Sequence, residues 1–464
     1  MEEGREMGLE EFLRDVCASL GDDVRTDEEE ISRYSRDWWP LAMLLERLGS
    51  WNLRPKAVIS VESAEEVSYV LRKANEHRVR VVVHGGGSSV TGASAPPDDC
   101  VVLSLGKMKR VVDFSEEDLT VTVEAGALLC DLEEWLNVRG YTLRHVPQSF
   151  HLATVGGCIA SMSSGQYSTG YGNVEDLVLN LEVVTPTGEI LKTRNVLTPR
   201  SSMGPNLVHL FVGSEGAFGV ITKATLRVLP LPKYSVRAAF GTRSFSAGLR
   251  IVRELIVNGM RPSVARLSDE SESVVRFGSN EPVLLLSYEG YEQELVTTTW
   301  EKARNRVEEL GGSYMGEGPY DSWLKSRFNY LNEMKLLDSM GLWFETVDVA
   351  ATWSKIPRLH ESMRSRMKEL TGVAGVLAHA SHFYVNGGAL YYTIVYERDP
   401  ALYWKIVKTA FDVALEFGGT ISHHHGVGQL RRKWVERDPG PASILLSKIK
   451  DAVDPNNVLY SNIC

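Results

Sequence analysis

His84-Gly85-Gly86-Gly87-Ser88-Ser89-Val90-Thr91-Gly92 follows directly on a valine run, Val81–Val83. Glycines let a backbone come close to a ligand, and consecutive amides can converge on phosphate oxygens. The loop is not a dinucleotide fingerprint: counted from Gly85, the sixth position of GxGxxG holds Val90. No GK[ST] follows, which excludes a P-loop. By itself such a loop is as often a tight turn as a binding site, so its flanks matter. Ala57–Val61, Val79–Val83 and Val101–Leu105 are apolar, strand-length and rich in valine, and Leu119–Val123 alternates as a half-buried strand does. Between the first two, Ser63–His77 is patterned as an amphipathic helix with a serine cap and acidic residues in its first turn. This β-α-β opening predicts a parallel strand pair around the glycine loop.

Further small-residue segments follow: Pro147-Gln148-Ser149, Thr154-Val155-Gly156-Gly157-Cys158-Ile159-Ala160-Ser161, Tyr171–Val178 and Gly213–Thr222. Spread this widely, they read as loops converging on one long, phosphate-bearing ligand. Near the C-terminus, Ile421-Ser422-His423-His424-His425-Gly426-Val427-Gly428 places three of the chain's 11 histidines side by side. Histidine exchanges protons near neutrality. A lone histidine is more often a packed structural residue, but a triplet before Gly-Val-Gly points to a site. Proton transfer and metal binding are both open from the triplet alone.

The chain has 464 residues, enough for two or three packed regions. Its 43% hydrophobic and 24% charged content is that of a soluble globular protein. A net charge of -10 argues against nucleic acid as a partner. No apolar run reaches the roughly 18–20 residues of a spanning helix, and the acidic start does not read as a signal peptide. The cysteines (Cys17, Cys100, Cys130, Cys158 and Cys464) form no CxxC pair and read as reduced thiols of a cytoplasmic protein. Met1 to about Trp51 looks mainly helical. Trp38 and Trp39 there either pack this lead onto the body, the favoured reading, or touch a membrane surface peripherally.

The ordered blocks GGGSS, TVGG, GN-x-ED-LV and GSEG-x-x-GVIT resemble the FAD-binding domain of the vanillyl-alcohol oxidase and p-cresol methylhydroxylase type. ISHHHGVG, with Leu430–Trp434 and Asp454–Val458 behind it, narrows the resemblance to alkyldihydroxyacetonephosphate synthase and its prokaryotic relatives. It runs from Arg54 to the C-terminus. The resemblance implies an α+β protein with a two-subdomain, non-Rossmann FAD-binding domain and an α+β cap domain for the substrate. The expected divisions are a helical lead (1–50), the FAD-binding domain (51–232), the cap (233–410) and a C-terminal segment returning to the flavin (411–464). The cap is expected to begin where Leu229-Pro230-Leu231-Pro232 breaks the β pattern.

Carried over by position, Gly85, Gly86, Gly87, Ser88 and Ser89 match the pyrophosphate loop. Pro147, Ser149, Thr154, Gly156, Gly157 and Ser161 match the segment along the ribityl chain and isoalloxazine, with Thr154 a donor near its reactive edge. Glu215, Gly216, Gly219, Val220 and Ile221 match the last FAD block. Asn173, Glu175 and Asp176 match a loop near the cofactor, with a structural role open for both acids. The resemblance implies non-covalent FAD; His84 and His151 are the histidines placed for a covalent link. In the cap, Arg266 matches an arginine facing the substrate, its bland alternative being an ion pair such as one with Asp269. Tyr391 matches the family's catalytic tyrosine, and His424, flanked by His423 and His425, its principal histidine. Tyr384 cannot be assigned a face from alternation. His379, His382 and His423 are of metal-ligand type, but the His-x-x-Gly-Asp-Gly-Asn signature of metal-bearing relatives is absent, so no metal is expected.

The chain departs from the synthase pattern at Asn332-Glu333, where that family has Arg-Asp, and at His379, which replaces an arginine; Lys335 is the nearest substitute cation. An amide beside an acid holds a phosphodianion poorly. The expected function is therefore an FAD-dependent dehydrogenase for a small D-2-hydroxy acid, D-lactate first. In it Arg266 holds the carboxylate with His379 or His382, His424 takes the hydroxyl proton, and Tyr391 orients the hydroxyl. Electrons would pass to a quinone, dye or protein acceptor, in a homodimer. Alkyldihydroxyacetonephosphate synthesis is the alternative.

Overall fold

The computed structural model describes residues 2–463, with side chains from residue 7 onward; Cys464 lies outside them. The helix Ala64–His77 forms as its sequence pattern predicts. The Ser63 hydroxyl accepts the Glu66 N–H at 3.2 Å, Arg78 ends the helix in a left-handed turn, and Val67, Val70, Leu71 and Ala74 face inward. The strands on either side of it are both parallel to a third, Cys100–Ser104, which lies between them. The expected pair is thus bridged rather than adjacent. The third run is buried at every residue, which suits the centre of a sheet, where both faces are covered. Val24–Arg25 adds antiparallel at the Val58–Ser60 edge. At the opposite edge the C-terminal segment lies along Arg80–His84, Val81 donating to Val458 at 2.7 Å and accepting from Tyr460 at 2.9 Å.

A second, antiparallel sheet runs Val111–Ser115, Thr120–Glu124, Val220–Arg227, Val178–Val184 and Ile190–Lys192. These two sheets share one hydrophobic core. From Tyr234 the chain builds a seven-stranded antiparallel sheet in the order Ser313–Gly316, Tyr234–Gly241, Val283–Gly290, Val264–Ser268, Val373–Tyr384, Gly387–Glu397, Leu342–Thr352. Helices including Phe245–Val257, Ile356–Lys368 and Pro400–Glu416 pack on it around a second core. The architecture is α+β.

The N-terminal stretch is divided between the cores. Phe12 and Val16 of the helix Glu2–Leu20 join the first, and Leu41–Leu44 of the helix Pro40–Arg47 join the second. Trp39 is buried, its indole donating to the Tyr403 hydroxyl at 2.7 Å, while Trp38 is half-buried between the two bodies. Among the described residues no helix is long and apolar enough to cross a membrane.

Candidate active site

A cavity of about 330 Å³ lies where the first two sheets meet the edge of the large one. Its wall includes Gly85, Gly86, Gly87, Ser88 and Ser89; Pro147, Ser149, Thr154, Gly156, Gly157 and Ser161; and Glu215, Gly216, Gly219, Val220 and Ile221. Sequence blocks far apart in the chain are thereby brought onto one surface. Backbone packing explains the glycines: a Cβ on Gly86 would sit on the Leu152 carbonyl oxygen, and Gly87 has φ +62 with the His84 ring against it. Thr154 caps the helix Val155–Ala160, its hydroxyl oxygen accepting the Gly157 N–H at 3.2 Å. The wall carries no lysine or arginine. A diphosphate there would be held by amides and hydroxyls, the donor set an FAD-shaped ligand needs from a glycine loop.

Other positions behave differently. The half-buried Glu215 carboxylate accepts the N–H groups of Val427 at 2.6 Å and Gly428 at 3.0 Å, latching this wall to the end of the histidine loop. Asn173 and Asp176 cap each other's backbone, and Glu175 accepts from the Asn173 amide at 3.1 Å; none of the three lies on the cavity wall. Neither His84 nor His151 lines the cavity. His84 Nδ1 donates to the Gly85 carbonyl at 3.0 Å, and burial lowers it to about 4; His151 sits edge-on to Phe328.

The histidine loop closes the cavity's other end, with His424 and His425 on its wall. Behind them, one rung of the large sheet carries Asp348, Tyr391 and His379 in register. The Tyr391 hydroxyl lies 2.9 Å from His424 Nδ1 and 3.3 Å from His423 Nδ1. His423 Nε2 is 2.7 Å from the Tyr384 hydroxyl. A bulge after Ser381, with His382 at φ +50, re-aims the strand and brings Tyr384 to this cluster. Ser168 Oγ holds His382 Nδ1 at 2.6 Å. Burial lowers His423 to about 4 and drives His424 and His382 well below the usual imidazole range, so all three are neutral bases or donors near pH 7. Burial likewise raises Tyr391 well above the phenol range.

Arg266 is not paired with Asp269. Its Nη2 donates to Glu272 at 2.8 Å, while Asp269 is buried against Arg364. Glu272 also lies 3.3 Å from His379 Nδ1, and the His379 ring stacks on Tyr391 with centroids 4.8 Å apart. Burial would raise Glu272, but Arg266 and His379 outweigh it and hold the carboxyl far below its ordinary range. Arg276 reaches Glu333 through both terminal nitrogens. Asn332 turns to Asn329 on its own helix at 2.5 Å, and Lys335 is exposed. His379, His382 and His423 do not converge on a point: among the described residues the one set of metal-ligand type is Asp15, Glu76 and His77, near Lys73 and remote from this site.

Asp348 was not evident from sequence. It is fully buried; its Oδ2 accepts the N–H groups of His423, His424 and His425 at 2.7, 3.0 and 3.4 Å, and its Oδ1 takes His425 Nδ1 at 2.9 Å. Arg431, also buried, donates to the same carboxylate, to the Ile421 carbonyl and to the Gly426 carbonyl. Burial would raise Asp348, but His425 and Arg431 hold it well below the carboxylate range. The available signal was one acid inside Val347-Asp348-Val349, an apolar strand where a charge requires partners.

Residues 55–194 match the FAD binding domain family, and residues 231–461 the C-terminal domain of FAD linked oxidases. The chain is 31% identical to the uncharacterized FAD-linked oxidoreductase YgcU of Escherichia coli (strain K12), over 87% of this chain and 88% of the relative. It is 27% identical to the alkyldihydroxyacetonephosphate synthase of Caenorhabditis elegans, over 88% and 75%. With a D-lactate dehydrogenase of Anaerostipes hadrus the identity is 26%, over 88% of each. Among solved structures, an alkyldihydroxyacetonephosphate synthase superposes with a TM-score of 0.83 at 23% identity, over 97% of this chain and 85% of that one. A p-cresol methylhydroxylase superposes with 0.82 at 17%, over 98% and 96%.

Proposed function

The chain belongs to the FAD-linked oxidoreductases, and from that premise we propose that it oxidises a small D-2-hydroxy acid, D-lactate being the first candidate. Bound FAD supplies the acceptor for the hydride of the substrate carbon. The observation that carries the reading is the Tyr391–His424 contact of 2.9 Å at the end of the cavity, with His379 and the Arg266–Glu272 ion pair on the tyrosine's other side. Tyr391 orients the substrate hydroxyl, a histidine of the triplet receives its proton, and Arg266 offers N–H donors to the carboxylate beside His379 and His382. Electrons leave to a quinone or protein acceptor.

Charge balance favours a carboxylate over a phosphate. Arg266 already faces Glu272, and Arg276 already faces Glu333. A monoanion needs a fork of N–H donors there, whereas a phosphodianion needs an excess of positive charge. The second reading, alkyl transfer of the alkyldihydroxyacetonephosphate synthase kind, draws on a different feature: Trp38, Pro40, Met43, Tyr330, Met334 and Phe344 give the cavity an apolar flank suited to a long chain.

Anaerobic mixing with D-lactate should bleach the flavin absorbance. If no short 2-hydroxy acid does so, while acyl-dihydroxyacetone phosphate bleaches it and releases fatty acid, the synthase reading replaces this one. Arg266→Lys should raise KM for the acid by about tenfold or more, since a lysine cannot reproduce a two-pronged contact; an unchanged KM would remove Arg266 from the carboxylate site.

A further inference from the structure

We propose that Asp348 is a positioning residue that fixes His425 in its Nδ1-protonated tautomer and so presents a bare Nε2 to the substrate side of the cavity as the proton acceptor. This deepens the reading above and rests on it. His425 is the triplet histidine whose ring meets a carboxylate, with Nδ1 2.9 Å from Asp348 Oδ1. A carboxylate cannot donate to that nitrogen when ionised, so Nδ1 carries the hydrogen and Nε2 is left for the cavity that His425 lines. His424 is differently placed. Its Nδ1 contacts the Tyr391 hydroxyl and His423 Nδ1, and it meets Asp348 through its backbone N–H rather than through its ring.

The surroundings of His425 fix the charge on the dyad. From the strand Leu342–Thr352 it meets Asp348, and beyond that carboxylate stands Arg431 of the helix Gly428–Arg431. Its own loop brings His423 and His424, both held neutral by burial. The strand Gly387–Glu397 brings Tyr391, with ring centroids 6.2 Å apart, and the strand Val373–Tyr384 brings His382, also neutral. Glu215 grips the next turn through Val427 and Gly428, and Thr91 Oγ1 donates to the His425 carbonyl at 3.3 Å. The ionised Asp348 is thus the group that can balance an imidazolium at His425. Bound FAD would take the hydride, with the electron pair of the substrate C–H bond. The O–H bond then gives its proton to His425 Nε2, leaving a carbonyl product and an imidazolium facing Asp348, which later returns the proton to solvent.

The test uses the FAD-loaded enzyme, with D-lactate as the reducing probe and long-range ¹H–¹⁵N NMR of the histidine rings. In the wild type His425 is expected to carry its proton on Nδ1 at neutral pH. Asp348→Asn should move it to Nε2 or mix the two, and slow flavin reduction by up to about 10⁴-fold, the scale set by losing a tautomer-fixing carboxylate. Because Asp348→Asn also weakens the Arg431 pair, His425→Gln is the second variant: it leaves Asp348 and Arg431 in place. It should slow reduction by about 10²–10⁴-fold. A wild-type His425 protonated on Nε2, or a His425→Gln enzyme reduced at the wild-type rate, overturns the proposal. Should D-lactate leave wild-type flavin oxidised, the 2-hydroxy-acid reading fails and the NMR arm decides alone. An Nδ1 proton displaced by Asp348→Asn then upholds the assignment, and an unmoved or Nε2 proton overturns it.

Discussion

On the FAD-binding side of the site the wall is backbone and hydroxyl: Gly85–Gly87, Ser88, Thr154 and Gly156, with no lysine or arginine among them. The cap side is the reverse. There one rung of a sheet carries Asp348, Tyr391 and His379, with Glu272 and Arg431 buried and Arg266 half-buried around it. The first wall is specified by how closely chains approach, the second by how charges cancel out of water. A side chain too large should break the first, and a missing partner the second.

The largest effect is expected where cancellation is most complete. Arg431→Ala leaves Asp348 buried without its guanidinium and removes two carbonyl contacts. Breaking a buried pair by deleting one partner costs about 3–5 kcal/mol, so urea unfolding should show a loss on that scale. A loss below about 1 kcal/mol, the range of an exposed pair, would mean that charge balance does not hold the histidine loop.

Gly86→Ala probes the opposite wall. The added carbon meets the Leu152 carbonyl, which is backbone and cannot rotate away. Overpacking of this kind costs about 1–3 kcal/mol, and the same displacement should loosen the cofactor. FAD release, followed by its fluorescence, should be faster than in the wild type, while the Tyr391–His424 contact on the other wall is kept. Unchanged FAD retention would show that the loop has slack and that shape is not its constraint.

The same contrast governs what could be read from sequence. A glycine loop after a valine strand announces itself within a dozen residues, because turn and strand preferences are local; so do the Ser63 cap and the blocks that share the cavity. The strand order was not legible: which valine run takes the centre depends on what covers both its faces. Nor were the partners of the cap site. Asp348 lies 75 residues before His423, so nothing local ties the two together. Arg266 showed the same gap, since Asp269, close in sequence, is turned towards Arg364, and Glu272 on the next helix turn takes its place. The bulge at His382 was also hidden, because period-two alternation assumes an unbroken register.

A pH-dependent effect should come from the place where the walls meet. Glu345, on the edge strand of the large sheet, lines the cavity from the cap side and is 1% exposed. Burial pushes its carboxyl from the ordinary 4.5 up to about 8, against the opposing pull of Tyr403 and Arg431. The folded protein therefore holds this proton more tightly than the unfolded chain. Its contribution to stability is full below about 4.5 and is lost as pH rises through about 8. Glu345→Gln keeps the shape and stays neutral throughout. The variant should gain on the wild type in melting temperature as pH rises between about 4.5 and 8, the gap levelling off above that. A gap independent of pH would place Glu345 among the ionised, paired groups of the cap. A rising one makes it the single carboxyl on the cavity's cap side that is held neutral by the same dry packing as the glycine wall.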